Sequence, residues 1–274
     1  MEGLAYDERG SGPAIVFSHA AIADRRMWDH QFEHLAATHR VVRYDWRGYG
    51  DSVDAEGVHS HSRDLLGLLD ALEIERAVLV GCSMGGAHCV DVAVAAPERV
   101  VGLVLFCSGL TGHVWPGPMQ EYVREHVRPV VPAERLALYA QGGAAVLDED
   151  ARAMALAHGR LLVAGPGRDP STVDADVWAK AMDMATGVFH RMWSGPPAVE
   201  EEPDPPGAAR LAEVRAPTLV VNGLSDAPWL QDLSVHIAAS VPGARRVDLP
   251  DTGHLPPLER PEESTRLIAG HAAS

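Results

Sequence analysis

The tightest constraint in this chain is a break: the apolar run Val78-Leu79-Val80 ends in Gly81-Cys82-Ser83-Met84-Gly85, and a helix-forming segment follows at once. A short apolar run closed by glycine reads as a buried strand. A serine at a sharp turn from strand to helix has its hydroxyl lifted clear of the sheet. The flanking glycines permit strained backbone angles and close chain approach. G-x-S-x-G also arises by chance, the plain alternative being an inert serine in a tight turn, but here the strand before and the helix after supply the context a nucleophile needs. Ser83 is therefore the candidate nucleophile, and the rest of the chain must provide a base, an acid and an oxyanion site.

Around that turn, short apolar runs alternate with helical periodicity. Gly3–Asp7 and Ala14–Phe17 read as strands joined by a hairpin turn at Arg9-Gly-Ser-Gly-Pro13, followed by a helix from Met27 to Ala36, a strand at Val41–Tyr44 and a helix from His61 to Leu72. Ala77–Val80 is the strand feeding the turn, Met84–Ala96 the helix leaving it, and Val100–Phe106 another buried strand. This alternation predicts an α/β fold with a mostly parallel, doubly wound sheet. From Leu110 to Leu211 the rhythm changes to helical stretches such as Met119–Val127 and Ala133–Tyr139 with no convincing strand. That segment ends in the acidic, proline-rich Glu200–Gly207, read as an exposed connection. Strands return at Thr218–Val221 and Ala244–Leu249, with helices at Trp229–Ala239 and Glu262–Ala269. The expected organisation is a core of residues 1–109 and 212–274 with a helical cap, 110–211, inserted between them.

The 274 residues, 46% of them hydrophobic, suffice for a sizeable core. The formal charge of −15 disfavours phosphate backbones and anionic membranes, so neither nucleic acid nor a membrane is an expected partner. No segment approaches the roughly 18 consecutive apolar residues of a membrane span, and the first residues lack export character. Cys82, Cys89 and Cys107 form an odd set without metal-ligand spacing, which suits buried thiols and a cytoplasmic location. A small-molecule substrate is expected, and self-association into a homo-oligomer is left open.

Serine needs a histidine to take its proton and a carboxylate to orient that histidine. Of fourteen histidines, His254 lies in the loop Pro250–Pro256 directly after the last strand, at the carboxyl edge where chemistry collects. Asp226 follows the strand Thr218–Val221 through a short turn to the same edge, and Asp251 is the rival acid. Backbone N–H groups should hold a developing oxyanion. Met84 at the start of its helix and Ala21 in the loop after Phe17 are the candidates. Cys82, His88, Asp45 and Arg47 are read as structural, the last two as a charged pair. Trp115 and Trp193 are candidate substrate contacts, although aromatics at helical spacing more often form lid core.

Taken together, His19-Ala-Ala21, Tyr44-Asp-Trp-Arg-Gly-Tyr-Gly-Asp-Ser52, Gly81-Cys-Ser-Met-Gly-Gly86, Ala96-Pro-Glu-Arg99, the turn to Asp226 and the loop to His254 resemble the α/β-hydrolase superfamily. Its order of nucleophile, acid and base matches Ser83, Asp226, His254. Met27-Trp-Asp, Arg43-Tyr-Asp and Leu258-Glu-Arg-Pro261 look most like its 3-oxoadipate enol-lactonase and esterase branch. The resemblance implies a serine hydrolase acting on a carboxylic ester or lactone through an acyl-enzyme, with no metal and no organic cofactor. A Ser-His-Asp carbon–carbon bond hydrolase is the enzymatic runner-up, followed by cofactor-free perhydrolase activity. A lyase, a cyclase or a ligand-binding protein on the same fold are further alternatives. His19-Ala20 departs from the family's common His-Gly, which bears on the Ala21 donor.

Overall fold

The computed structural model describes residues 3–273; positions 1, 2 and 274 of the expected core lie outside the described residues. Among the described residues nine strands are formed: β1 (Tyr6–Arg9), β2 (Ala14–Ser18), β3 (Arg40–Tyr44), β4 (Gly57–His59), β5 (Ala77–Cys82), β6 (Val100–Phe106), β7 (Ala198–Glu200), β8 (Thr218–Gly223) and β9 (Arg245–Leu249). Seven of them build one sheet in the order β1-β3-β2-β5-β6-β8-β9. Every neighbouring pair is parallel except β1 with β3.

The near-continuous apolar strands are explained by what covers them. Ile15 and Phe17, Val78 and Val80, Val104 and Phe106 belong to one apolar cluster, which also takes in the buried side chains of the helix Asp29–Leu35 and most of the buried apolar side chains between β6 and β8. Their immediate neighbours Ala14 and Val16, Ala77 and Leu79, Leu103 and Leu105 belong to a second cluster with the helices His61–Ala71, Met84–Ala95 and Pro228–Ser240. Side chains two apart share a face, so a sheet buried on both sides demands apolar residues at every position.

Two expectations need correction. The segment Arg9–Pro13 does not close a hairpin, because β1 pairs antiparallel with β3 while β2 lies on the other side of β3. All five residues of β2 are buried and it needs a partner on each side; β1 is mostly exposed and suits the edge. Second, the stretch from 110 to 211 does contain a strand, β7, paired in parallel with β4 in a separate two-stranded sheet. Its three residues are all exposed, so no hydrophobic alternation marks it.

The rest of that stretch is helical. The helix begun at Gly117–Tyr122 widens into a looser turn over Val123–Val127, and the longest helix of the chain, Ala175–Ser194, packs against Asp148–His158. Lys180 pairs with Asp29, Arg26 with Asp183, and Arg191 reaches Asp54 and the carbonyl of Tyr49, so this helix is fastened to the loops after β2 and β3. Among the described residues no helix is long and apolar enough to cross a membrane.

Candidate active site

Ser83 stands at the end of β5 with φ 55° and ψ −126°, a backbone conformation that costs a non-glycine residue on the order of 1–3 kcal/mol. The surroundings hold it there. Its N–H donates to the Phe106 carbonyl at 3.0 Å, and its carbonyl accepts from Gly86 at 2.9 Å and from Gly109 at 2.8 Å. Glycine is required on both sides for room: a β-carbon at 81 would lie 2.5 Å from the Gly85 carbonyl oxygen, and one at 85 would lie 2.3 Å from that of His19.

His254 and Asp226 come together from the loops after β9 and β8. His254 Nδ1 lies 2.6 Å from Asp226 Oδ2, and the other carboxylate oxygen accepts the Ala227 N–H at 2.7 Å. Both side chains are buried. An ionised carboxylate can only accept, so the shared proton belongs to Nδ1 and Nε2 is left as a base. Asp251, the rival acid, is exposed, and its carbonyl accepts from Arg260. The two loops also touch through backbone: a β-carbon at Gly223 would sit 2.1 Å from the Gly253 carbonyl oxygen, so only glycine permits this approach.

The loop carrying Ala21 is braced by His19. Its Nδ1 donates to the Ala20 carbonyl at 2.9 Å, its Nε2 accepts the Trp46 N–H at 3.1 Å, and its ring stacks on Trp46 with centroids 4.1 Å apart. Burial pushes its pKa down to about 4, as expected of a neutral ring whose two nitrogens already have partners. The Ala20 N–H donates to Met27 Sδ at 3.3 Å. Ala20, which stands in place of the usual glycine, is fully buried, and Ala21 beside it is partly exposed. Met84 opens the helix whose N-terminal dipole favours negative charge.

Other candidates take structural places. The Cys82 thiol contacts the His254 carbonyl at 3.5 Å, and burial raises its pKa well above the ordinary thiol range. His88 is buried edge-on to Trp46, with Nε2 3.0 Å from Glu200 Oε1. Asp45 and Arg47 do not pair with each other: Asp45 holds Arg25, and Arg47 holds Asp64 at 2.9 Å. Among the described residues, Cys107, Asp226 and His254 are the set close enough to share a cation. The carboxylate and imidazole are already joined, however, and burial followed by the Asp226 charge keeps the Cys107 thiol protonated, so packing accounts for the trio.

Trp115 is half-buried and meets His113 edge-on at 4.7 Å. Trp193 stacks on Tyr139 with centroids 4.8 Å apart, and both line a cavity of about 490 Å³ with Tyr49, His61 and Glu200. Neither Ser83, Asp226 nor His254 lines that cavity. Two neighbours of His254 escaped the sequence reading. Glu259 accepts the N–H groups on either side of it, and the Leu162 carbonyl accepts its own N–H at 3.2 Å. Glu259 was visible only as part of Leu258-Glu-Arg-Pro261, and a backbone carbonyl carries no residue signal at all.

Comparisons with known proteins bear on the family and the fold. A family model described as alpha/beta hydrolase family matches residues 15–266. Over 272 aligned residues the chain is 31% identical to a protein of Mycobacterium tuberculosis named as a non-heme bromoperoxidase, covering 96% of this chain and 94% of that one. A stretch of 78 residues is 44% identical to 3-oxoadipate enol-lactonase 1 of Acinetobacter baylyi, covering 28% of this chain and 29% of that one. A thermophilic esterase from Thermogutta terrifontis superposes with a TM-score of 0.73 at 27% identity, covering 97% of this chain and 92% of that one.

Proposed function

Because the chain belongs to the alpha/beta hydrolase family, we propose that it cleaves a carboxylic ester or lactone of a small organic molecule through an acyl-enzyme on Ser83. The observation that carries this reading is the buried 2.6 Å contact between His254 Nδ1 and Asp226 Oδ2, formed at the carboxyl edge where Ser83 is held in its strained turn. In the first step Ser83 Oγ attacks the carbonyl carbon while His254 Nε2 takes the hydroxyl proton. Asp226 fixes the ring and stabilises the imidazolium. The N–H groups of Met84 and Ala21 hold the oxyanion. His254 then returns the proton to the departing alkoxide. In the second step water, deprotonated by the same nitrogen, attacks the acyl carbon, and the acid is released as Ser83 regains its proton.

The segment between β6 and β8 serves in this reading as the cap that selects the substrate, with Trp115 and Trp193 as its candidate contacts. The names of the Thermogutta esterase and the Acinetobacter enol-lactonase support the ester and lactone class. The name of the mycobacterial relative supports one addition: hydrogen peroxide in place of water at the second step would release a peracid instead of the acid.

The test is turnover of an activated short-chain ester together with labelling by a fluorophosphonate. Hydrolysis that falls by at least about a thousandfold in Ser83→Ala, with label found on Ser83 and lost in His254→Ala, is the expected result. Undiminished hydrolysis by Ser83→Ala would end the serine mechanism.

A further inference from the structure

We propose that Glu259 is a positioning residue for His254, its carboxylate clasping the main chain on both sides of the base. The proposal rests on reading His254 as that base. Glu259 closes the single-turn helix Pro256–Glu259 and folds back on the loop it follows. One oxygen accepts the Gly253 N–H at 2.8 Å and the other the Leu255 N–H at 3.3 Å. The amide between them, that of His254, goes to the Leu162 carbonyl at 3.2 Å, so three successive main-chain donors are fixed. Arg260 extends the hold toward the start of the loop, reaching the Asp251 carbonyl at 3.3 Å and Thr252 Oγ1 at 3.2 Å.

The placement is expensive without a return. Burial raises the Glu259 carboxyl above its ordinary range, and the Asp226 charge nearby pushes the same way. Among the described residues no arginine or lysine hydrogen-bonds to Glu259. Only the two loop amides favour its charged form by hydrogen bonding. Their geometry also requires a carboxylate: glutamine has one acceptor oxygen, so its NH2 would face one of the two N–H donors and leave it unsatisfied. Misplacing a catalytic group by about 1 Å can cost about a hundredfold in rate.

The experiment compares Glu259→Gln and Glu259→Asp with the wild-type enzyme on an activated short-chain ester, and follows the downfield proton of the His254–Asp226 hydrogen bond by NMR without substrate. We expect E259Q to lose about 10- to 100-fold in kcat with KM within about twofold, and its downfield signal to broaden. E259D, which keeps two acceptor oxygens, should recover part of kcat. A folded E259Q with kcat within about twofold of wild type and an unchanged signal would overturn the proposal, as would an E259D no better than E259Q. If E259Q does not fold, hydrogen exchange in the wild-type protein decides: Gly253 and Leu255 amides exchanging as slowly as those of β8 support the clasp, and unprotected exchange overturns it. A wild-type protein without ester turnover or Ser83 labelling would instead remove the serine reading, and the NMR comparison alone then tests the clasp.

Discussion

The main-chain N–H of His254 donates to the carbonyl oxygen of Leu162 at 3.2 Å, so the histidine loop leans on the segment inserted between β6 and β8. Gly253 beside it leaves no room for a side chain, because a β-carbon there would lie 2.4 Å from the Val163 carbonyl oxygen. Gly253→Ala should therefore push the two segments apart. The expected result is at least about a tenfold loss of kcat/KM on an activated ester, with a folded far-UV spectrum. Kinetics equal to wild type would show that the inserted segment does not tune the base.

Asp226 and Asp251 are distinguished by one measurement. Asp226→Asn preserves shape while presenting an amide to Nδ1 and favouring the wrong tautomer, and kcat should fall by roughly 10³- to 10⁴-fold. Asp251→Asn, at an exposed position, should stay within about twofold. Equal losses in the two variants would reverse the assignment of the acid.

Ser83 occupies φ 55° in a region glycine tolerates and alanine does not. Ser83→Gly should accordingly be more stable than Ser83→Ala by about 1 kcal/mol in chemical denaturation, although both lack the hydroxyl. The comparison isolates backbone strain, because the two variants differ only in the side chain at the strained position. An alanine variant as stable as the glycine one would mean that the turn stores no strain.

Acid should weaken the fold through its buried imidazoles. Burial lowers His19 to about 4 and His61 to about 2, whereas both titrate near 6.5 when unfolded. Between those values the unfolded chain holds more protons, so stability falls as pH falls, by about 1.4 kcal/mol per pH unit for each ring. Asp91 opposes this: burial raises it to about 6, and it binds a proton that the unfolded chain takes up only near 3.9. For these three groups, two rings against one acid give a loss of about 1.4 kcal/mol per unit between pH 6 and pH 4. Denaturant midpoints across that range measure the slope. His61→Phe should flatten it by removing that ring's titration, and among the described residues the buried His61 Nδ1 has no hydrogen-bond partner to lose.

What the sequence revealed follows from where its signals lie. Ser83 and Asp226 stand just beyond the buried apolar strands β5 and β8, and His254 lies in the loop after the more polar edge strand β9, so strand ends locate all three, and the structure brings Asp226 to His254. The α/β-hydrolase fold was legible for the same reason, because strands buried on both faces cannot hide their apolar runs. The β4–β7 pair was not legible: five of its six residues are exposed and leave no pattern, and their register Val58–Val199 joins positions far apart in the chain. The place of β1 beside β3 was hidden by a turn whose composition suits a hairpin, since partner choice depends on which strand needs covering. The contact of His254 with Leu162 runs through main-chain atoms, to which residue identity contributes little, and Glu259 grips the N–H groups of Gly253 and Leu255, a pairing that no side-chain pattern in the sequence marks.

Lys180 is the only lysine in the sequence, and its Nζ sits 2.6 Å from Asp29 at the seam between the helix Ala175–Ser194 and the core. An amine-selective reagent therefore finds a single side-chain target in this protein, and that target is engaged whenever the helix is seated. Because its side chain is partly exposed, the rate at which Lys180 is modified reports how often this ion pair opens, readable by mass spectrometry without substrate or mutation.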